Sequence, residues 1–72
     1  MVYLNDMREG SIVVVRGDKG HGPQERGRVD IVCQDVKHGY PGIDYTLLDS
    51  NGNPTNRMFW AYLDQVDRVV KY

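Results

Sequence analysis

Cys33 and His38 are the residues whose types could supply a nucleophile and a base. The chain has one cysteine and two histidines among its 72 residues. A catalytic thiol is exposed and has a lowered pKa. By contrast, Val29, Ile31 and Cys33 alternate with mostly polar residues, so we expect all three to face the core, where a free cysteine acts as a small hydrophobe. These residues also lack the ligand spacing of a metal site, and we predict no catalytic, metal-binding or cofactor-binding residue.

The loop Gly17–Gly22 combines glycines with a lysine, as phosphate-binding loops do. In such loops the lysine precedes Ser or Thr and a helix follows, whereas here Gly20 follows the lysine and the next segment is a predicted strand. We therefore assign ordinary turn chemistry to the loop. Asp18 and Glu25 offset part of its positive charge. Four basic side chains lie on or beside the loop and could meet phosphate or an acidic protein surface, namely Lys19, His21, Arg26 and Arg28.

The aromatic side chains of the second half of the chain are the other candidates for binding. We expect Tyr45 and Phe59 to lie in the core, because each falls with the inward set of its strand. Core or rim packing is the favoured prediction for Trp60. If Trp60 and Tyr40 are instead both exposed near Arg57, they form a stacking platform for bases or a groove for a peptide.

The elements that position these residues are predicted to be short strands. The β-branched run Ile12–Val15 favours a strand that is covered on both faces, and the strand segments Ser11–Arg16 and Arg28–Cys33 form a hairpin. In the third strand Ile43, Tyr45 and Leu47 are expected to face inward. Lys37–Gly42 is predicted to be a loop between strands.

The end of the chain is predicted to form a hairpin, a turn and a last strand. Asn51 and Gly52 favour the positive φ pair of a type I′ turn. A fourth strand, Asn56–Ala61, then points Arg57, Phe59 and Ala61 one way and Met58 and Trp60 the other way. Residues 61–70 are predicted to form one 3₁₀ turn and a final short strand.

Length and composition limit the class of protein. Seventy-two residues allow one domain, 1–72, with residues 1–9 as a short strand or an apolar arm across one end. A single cysteine excludes an internal disulfide, and we find neither a secretory signal nor a membrane span, so a cytoplasmic location is expected. The net charge of −1 disfavours a protein that binds nucleic acid by charge alone.

One stretch of about a third of the chain resembles a known structural unit. The pattern Gly10-x-x-Val13-x-Val15-x-Gly17, a polar loop and then Gly27-x-Val29-x-x-Val32 resembles a KOW-type segment, the strand-loop-strand unit of small SH3-like barrels in ribosomal proteins and transcription elongation factors. Tudor-like hairpins share these spacings, and the tail Trp60–Val66 is similar to the 3₁₀ turn that links the last two strands of SH3-like barrels. The resemblance implies an all-β, five-stranded SH3-like barrel.

The function we expect is that of a non-enzymatic adaptor for a protein or nucleoprotein partner, such as a regulator of the transcription or translation machinery, including one encoded by a phage. Direct binding of RNA or DNA is the alternative. An enzymatic reading comes from the plasmid-borne type of dihydrofolate reductase, also a small SH3-like barrel, but its Val-Gln-Ile-Tyr string is absent. We expect a monomer or a weak homodimer formed by strand addition. The predicted partner-binding residues are Lys19, His21, Arg26, Arg28, Lys37, Tyr40, Arg57 and Trp60.

Overall fold

The computed structural model describes residues 1–17 and 22–72. They form one antiparallel sheet with the strand order β4-β3-β2-β1-β5. The all-β class, the five strands and the 3₁₀ turn before the last strand are confirmed. The elements are a 3₁₀ turn at Leu4–Asp6, β1 at Ile12–Arg16, β2 at Gln24–Lys37, β3 at Tyr40–Leu48, β4 at Pro54–Tyr62, a 3₁₀ turn at Leu63–Gln65 and β5 at Val66–Lys71.

The predicted closure into a barrel is wrong. Within the described part of the chain, β4 and β5 are the two edges of the sheet and no hydrogen-bonded pairing joins them. The sheet instead curls around its core, and β1 pairs with β2 on one side and with β5 on the other. This strand order, with a 3₁₀ turn between β4 and β5, is compatible with an SH3-like fold. Two strands are therefore left with an unpaired side.

The core is built on the valine run of β1. Val13, Val14 and Val15 are all buried, which confirms that both faces of this strand are covered. The inner face of the sheet buries one contiguous apolar cluster whose members come from all five strands and the N-terminal segment. These members are Met7, Val13, Val15, Val29, Ile43, Tyr45, Ala61 and Val66.

A bulge in β2 overturns the predicted inward position of Ile31. Val29 lies opposite Tyr45 and Ile31 opposite Asp44, so Asp30 is an extra residue in β2. Because side chains alternate along a strand, one inserted residue exchanges the two faces beyond it. Ile31 is consequently 53% exposed, Cys33 is only half-buried, and Val32 packs against the core.

The turns differ from prediction in type and place. The type I′ pair occurs at His38 and Gly39, whose φ angles are +56° and +78°, and it joins β2 directly to β3. Hence most of the predicted loop Lys37–Gly42 is strand. At the later hairpin only Gly52 has a positive φ, +84°, and the Asp49 carboxylate accepts the N–H groups of Asn51 and Asn53 at 2.9 Å.

The first nine residues, all described, contain a 3₁₀ turn and no strand. Val2 and Leu4 pack against the core and Met7 is buried within it, which agrees with an apolar arm. Ser11 then links this arm to the end of the chain, since its buried hydroxyl donates to the carbonyl of Tyr72 at 3.0 Å and accepts the N–H of Arg8 at 2.9 Å. Among the described residues no helix has the length and apolarity needed to cross a membrane.

Candidate functional site

The outer face of the β3–β4 hairpin carries the candidate site. Ile43 pairs with Ala61 and Tyr45 with Phe59, and these pairs face the core side. The alternating residues of β4 therefore face outward. Their side chains are Met58, opposite Thr46, Trp60, opposite Asp44, and Tyr62, opposite Gly42.

Three aromatic rings pack edge to face on this side of the sheet, and we call Tyr40, Trp60 and Tyr62 the aromatic cluster. The ring centroids of Trp60 and Tyr62 are 5.0 Å apart at an interplanar angle of 84°, and those of Tyr40 and Tyr62 are 5.9 Å apart at 81°. Such T-shaped contacts match the electrostatics of aromatic rings. Tyr40 is nevertheless 62% exposed and Trp60 43% exposed. The cluster is thus ordered by its own packing while much of its surface faces solvent.

The tight hairpin between β2 and β3 places a cation beside these rings. Lys37 pairs with Tyr40 across the His38–Gly39 turn, and the N–H of Gly39 donates to a carboxylate oxygen of Asp35 at 2.8 Å. The Lys37 ammonium lies 5.1 Å from the centroid of the Trp60 ring, within the range of a cation–π contact. Because the turn is short, Lys37 and Tyr40 are strand residues. Their positions are therefore fixed by backbone pairing between β2 and β3.

A groove of about 860 Å³ adjoins the aromatic cluster. This volume lies within the range of ligand clefts in proteins. The N-terminal arm forms one wall, and the start of β3 and the 3₁₀ turn before β5 form the other. The only charged side chain in the lining is Asp64; the lining residues are Met1, Val2, Tyr3, Tyr40, Pro41, Tyr62, Leu63, Asp64 and Val66.

The structure brings together three of the eight predicted partner-binding residues, Lys37, Tyr40 and Trp60. Arg57 lies on the other face of β4, with its guanidinium 5.3 Å from the centroid of the Phe59 ring. Arg28 shares the outer face but pairs with Asp30 at 3.5 Å.

The remaining predicted residues stand apart from the cluster or outside the described ranges. Arg26 of β2 lies opposite Val14 of β1, and its side chain is exposed. Lys19 and His21 lie outside the described residues, so their predicted roles stay predictions. Gly22 donates its N–H to the Gly17 carbonyl at 2.9 Å, which brings the two ends of their loop together.

Phe59 is not the core residue that the sequence predicted. It is 40% exposed, although its ring centroid is 6.0 Å from that of the buried Tyr45. The reason is that β4 is an edge strand, so one side of Phe59 has no neighbouring strand to cover it. Trp60 is 43% exposed on the outer face, whereas Arg57, which the alternative prediction placed beside it, lies on the opposite face of β4.

Sequence reasoning missed Tyr62 and Tyr3 as site residues. Tyr62 joins Trp60 to Tyr40, and Tyr3 lines the far wall of the groove. The alternation Met58, Trp60, Tyr62 along β4 was a usable signal for Tyr62. No local pattern points to Tyr3, because its place depends on where the N-terminal arm lies against the sheet.

Cys33 and His38, the candidate nucleophile and base of the sequence, stand at different places along β2 and its turn. Cys33 lies opposite Gly42, while His38 lies in the turn beyond Lys37, five residues further along the chain and past a register shift in β2. In residues 1–17 and 22–72 no three His, Cys, Asp or Glu side chains are grouped so that they could hold a metal ion.

Among residues 1–17 and 22–72, two side chains have perturbed pKa values, and neither belongs to the aromatic cluster. Burial, and secondarily the negative charge of Glu25, raises the pKa of the Tyr45 hydroxyl. The hydrogen bond from Arg68 to Asp67, at 2.7 Å, is the main cause that lowers the pKa of that carboxyl, and Arg16 adds to it. These pKa shifts arise from the packing of the fold, since Tyr45 lies in the core and Asp67 of β5 forms exposed ion pairs with Arg16 and Arg68.

The fold and site together define a small all-β chain that is compatible with an SH3-like fold and exposes an ordered aromatic cluster. Comparison with protein-family models, with curated proteins and with solved structures finds no match to this chain.

Proposed function

We propose that the chain is a non-enzymatic binding module, an SH3-like domain of the KOW or Tudor-like kind, that docks a segment of a partner protein on the aromatic cluster and the groove. The main support is the exposure of Tyr40 and Trp60 in rings that are already held by mutual packing. Tyr and Trp dominate the binding energy of protein interfaces, because they bury a large area at low entropic cost.

The shape and charge of the groove support a protein segment as the ligand. Its lining is largely apolar, and its one charged side chain, Asp64, is negative. A phosphate backbone requires several cations along its path, whereas in the described part of the chain Lys37 is the one cation placed against the rings of the cluster. A peptide with apolar side chains fits this arrangement better. The small size and the net charge of −1 favour a regulator that acts on a larger protein assembly, such as the transcription or translation machinery.

Photocrosslinking from single tyrosine positions tests this proposal. Tyr3 and Tyr40 line the groove and are 59% and 62% exposed, while Tyr72, with similar exposure of 56%, lies at the end of the chain beyond β5. Each is replaced in turn by p-benzoylphenylalanine and irradiated in lysate of the organism that encodes the chain. We expect one protein adduct, identified by mass spectrometry, that positions 3 and 40 share and that position 72 lacks.

The variant Trp60→Ala provides the second readout. It should reduce the yield of the shared adduct from position 40 by about tenfold or more, as truncation of an aromatic hot spot does. Circular dichroism confirms that the variant is folded. Equal adducts from all three positions, or no adduct from positions 3 and 40, would show that the groove is not the docking site.

Direct binding of single-stranded RNA or DNA is the second candidate, and the contact between Lys37 and Trp60 favours it. An exposed ring beside a cation can stack a base and neutralise its phosphate. Trp60 is the only tryptophan, so its fluorescence reports a titration with oligonucleotides directly. We expect affinity to fall with salt, and Lys37→Ala to reduce the salt slope by about one, with Lys71→Ala on β5 as control. Unchanged fluorescence at low salt would exclude this candidate.

A further inference from the structure

β4 is an edge strand with little protection against pairing. It runs for nine residues, Pro54–Tyr62, and its outer side has no partner strand in the described sheet. Natural edge strands are protected by charges, by prolines or by shortness. β4 has one charge, Arg57, and a proline only at its first position. Three consecutive large apolar side chains in its centre are exposed, by 73%, 40% and 43% for Met58, Phe59 and Trp60.

The opposite edge, β5, is protected in the way that β4 is not. It has six residues, and three of them, Asp67, Arg68 and Lys71, are charged and exposed. Asp67 also forms ion pairs with Arg68 and with Arg16 of β1. Added strands are therefore disfavoured at β5, which leaves the β4 edge as the better candidate for strand addition.

We propose that β4 pairs antiparallel with β4 of a second copy of this chain, about a two-fold axis at Met58. The strand Pro54–Tyr62 has Met58 at its midpoint, so this register pairs all nine residues of each copy. The two five-stranded sheets become one continuous sheet. The proposal goes beyond the function proposed above and does not depend on it.

The side chains of β4 are self-complementary in this register. Arg57, the only charged residue of the strand, faces Phe59 of the second copy, so its guanidinium keeps an aromatic partner and meets no like charge. On the outer face the two Met58 side chains face each other, and Trp60 faces Asn56. Pairing thus gives the exposed apolar side chains on each face of β4 a cross-strand neighbour from the second copy. This complementarity favours a second copy over an unrelated strand as the occupant.

The proposed dimer interface is small, and its area limits the affinity that we expect between the two copies. A pairing of two nine-residue strands lies at the low end of protein interfaces, below roughly 1,200 Å². We therefore expect a dissociation constant on the order of 10 µM or weaker. Tyr62 is the one β4 residue in the lining of the groove, and in this register it pairs with Pro54 at the end of the interface. The rest of the lining lies on the N-terminal arm, the start of β3 and the segment 63–66, outside the paired strands.

Sedimentation at rising protein concentration tests the dimer. For the unmodified chain we expect the mass to rise from 8.3 kDa towards twice that value. Met58→Lys places two ammonium groups opposite each other at the axis and should keep the chain monomeric at every concentration. The matched control Val70→Lys puts the same charge on β5, at a residue that is 45% exposed, and should dimerise as the unmodified chain does. A monomer at all concentrations, or a dimer that Met58→Lys leaves intact, would overturn the proposal.

Disulfide trapping tests the register in a Cys33→Ser background. Met58→Cys puts two thiols on directly opposed residues, whose Cα atoms are about 5 Å apart, a distance that a disulfide spans. Diamide, which takes up two electrons and two protons from the thiols, should convert this variant to a covalent dimer. Asn56→Cys is the control, because its two thiols are separated by about 13 Å along the strands. Cross-linking of both variants to the same extent would contradict the register.

Discussion

The burial of Tyr45 in the core changes the pKa of its hydroxyl group. Its side chain is 6% exposed, lies opposite Val29 on β2 and Phe59 on β4, and covers Gly27. Burial raises the pKa of its hydroxyl above the ordinary value of 10.0, and the negative charge of Glu25 adds to the effect. The folded state therefore favours the neutral phenol, while the unfolded chain ionises at its ordinary pKa.

This difference predicts a loss of stability in alkali that depends on Tyr45. The contribution is complete below pH 10, where Tyr45 is neutral in both states, and is lost as the pH rises through the raised pKa of the folded state. We expect Tyr45→Phe to lose less unfolding free energy between pH 8 and pH 11 than the unmodified chain, measured by urea unfolding with circular dichroism. Other tyrosines are common to both proteins, so equal alkaline losses would show that Tyr45 is not responsible.

At the scale of the strand, Gly27 allows β2 to pass closely over the core. A Cβ at this position would collide with the Tyr45 ring, reaching 3.1 Å from its Cγ and even closer to Cδ2. β2 is fixed here by pairing on both sides, with Val13 of β1 and Leu47 of β3. A glycine in a central strand commonly marks such a close approach.

Gly27→Ala should therefore destabilise the fold by about 1 to 3 kcal/mol, the usual cost of overpacking a core. Gly17→Ala is the matched control, because the added methyl meets no atom of the described residues within 4 Å and the φ of Gly17 is not positive. We expect the control to change stability by less than about 1 kcal/mol. Urea unfolding followed by Trp60 fluorescence measures both variants. Equal effects would mean that Tyr45 moves aside without cost.

At the scale of the whole molecule, the N-terminal arm completes a core that the open sheet leaves unfinished. Since β4 and β5 do not pair within the described chain, part of the inner face needs another cover. Met7 is 4% exposed within the core cluster, and Val2 and Leu4 pack against it. The Ser11 hydroxyl and the Arg8 side chain then join the arm to the Tyr72 carbonyl, at 3.0 and 3.2 Å.

Two methionine truncations measure what the arm contributes. Met7→Ala should lower the free energy of unfolding by about 2 to 5 kcal/mol, because it leaves a cavity in the core. Met58→Ala removes the same atoms from a residue that is 73% exposed and should change stability by at most about 0.5 kcal/mol. Both are compared by urea unfolding at low protein concentration, where a weak dimer does not contribute. Similar losses in the two variants would contradict the role of the arm.

The sequence alone determined the features that depend on local sterics. The valine run of β1 predicted a strand with two covered faces, and the segment after Trp60 predicted a 3₁₀ turn before the last strand. β-branched side chains restrict the backbone of their own residue, whatever surrounds them. The same reasoning selected Tyr40, Trp60 and Lys37 as candidate binding residues, because aromatic and basic residue types are visible in a sequence, and the structure places these three side chains close together.

Only the tertiary structure decided which side of each strand is covered. Ile31 is exposed because a bulge at Asp30 reverses which side of β2 faces the core. Phe59 is half-exposed because β4 has no outer neighbour in the described sheet. Burial is a property of a residue and its distant neighbours, and a shift of one residue in strand register reverses it. The place of Tyr3 beside the groove has the same cause, since packing across the core positions the arm, and no pattern within the arm encodes it.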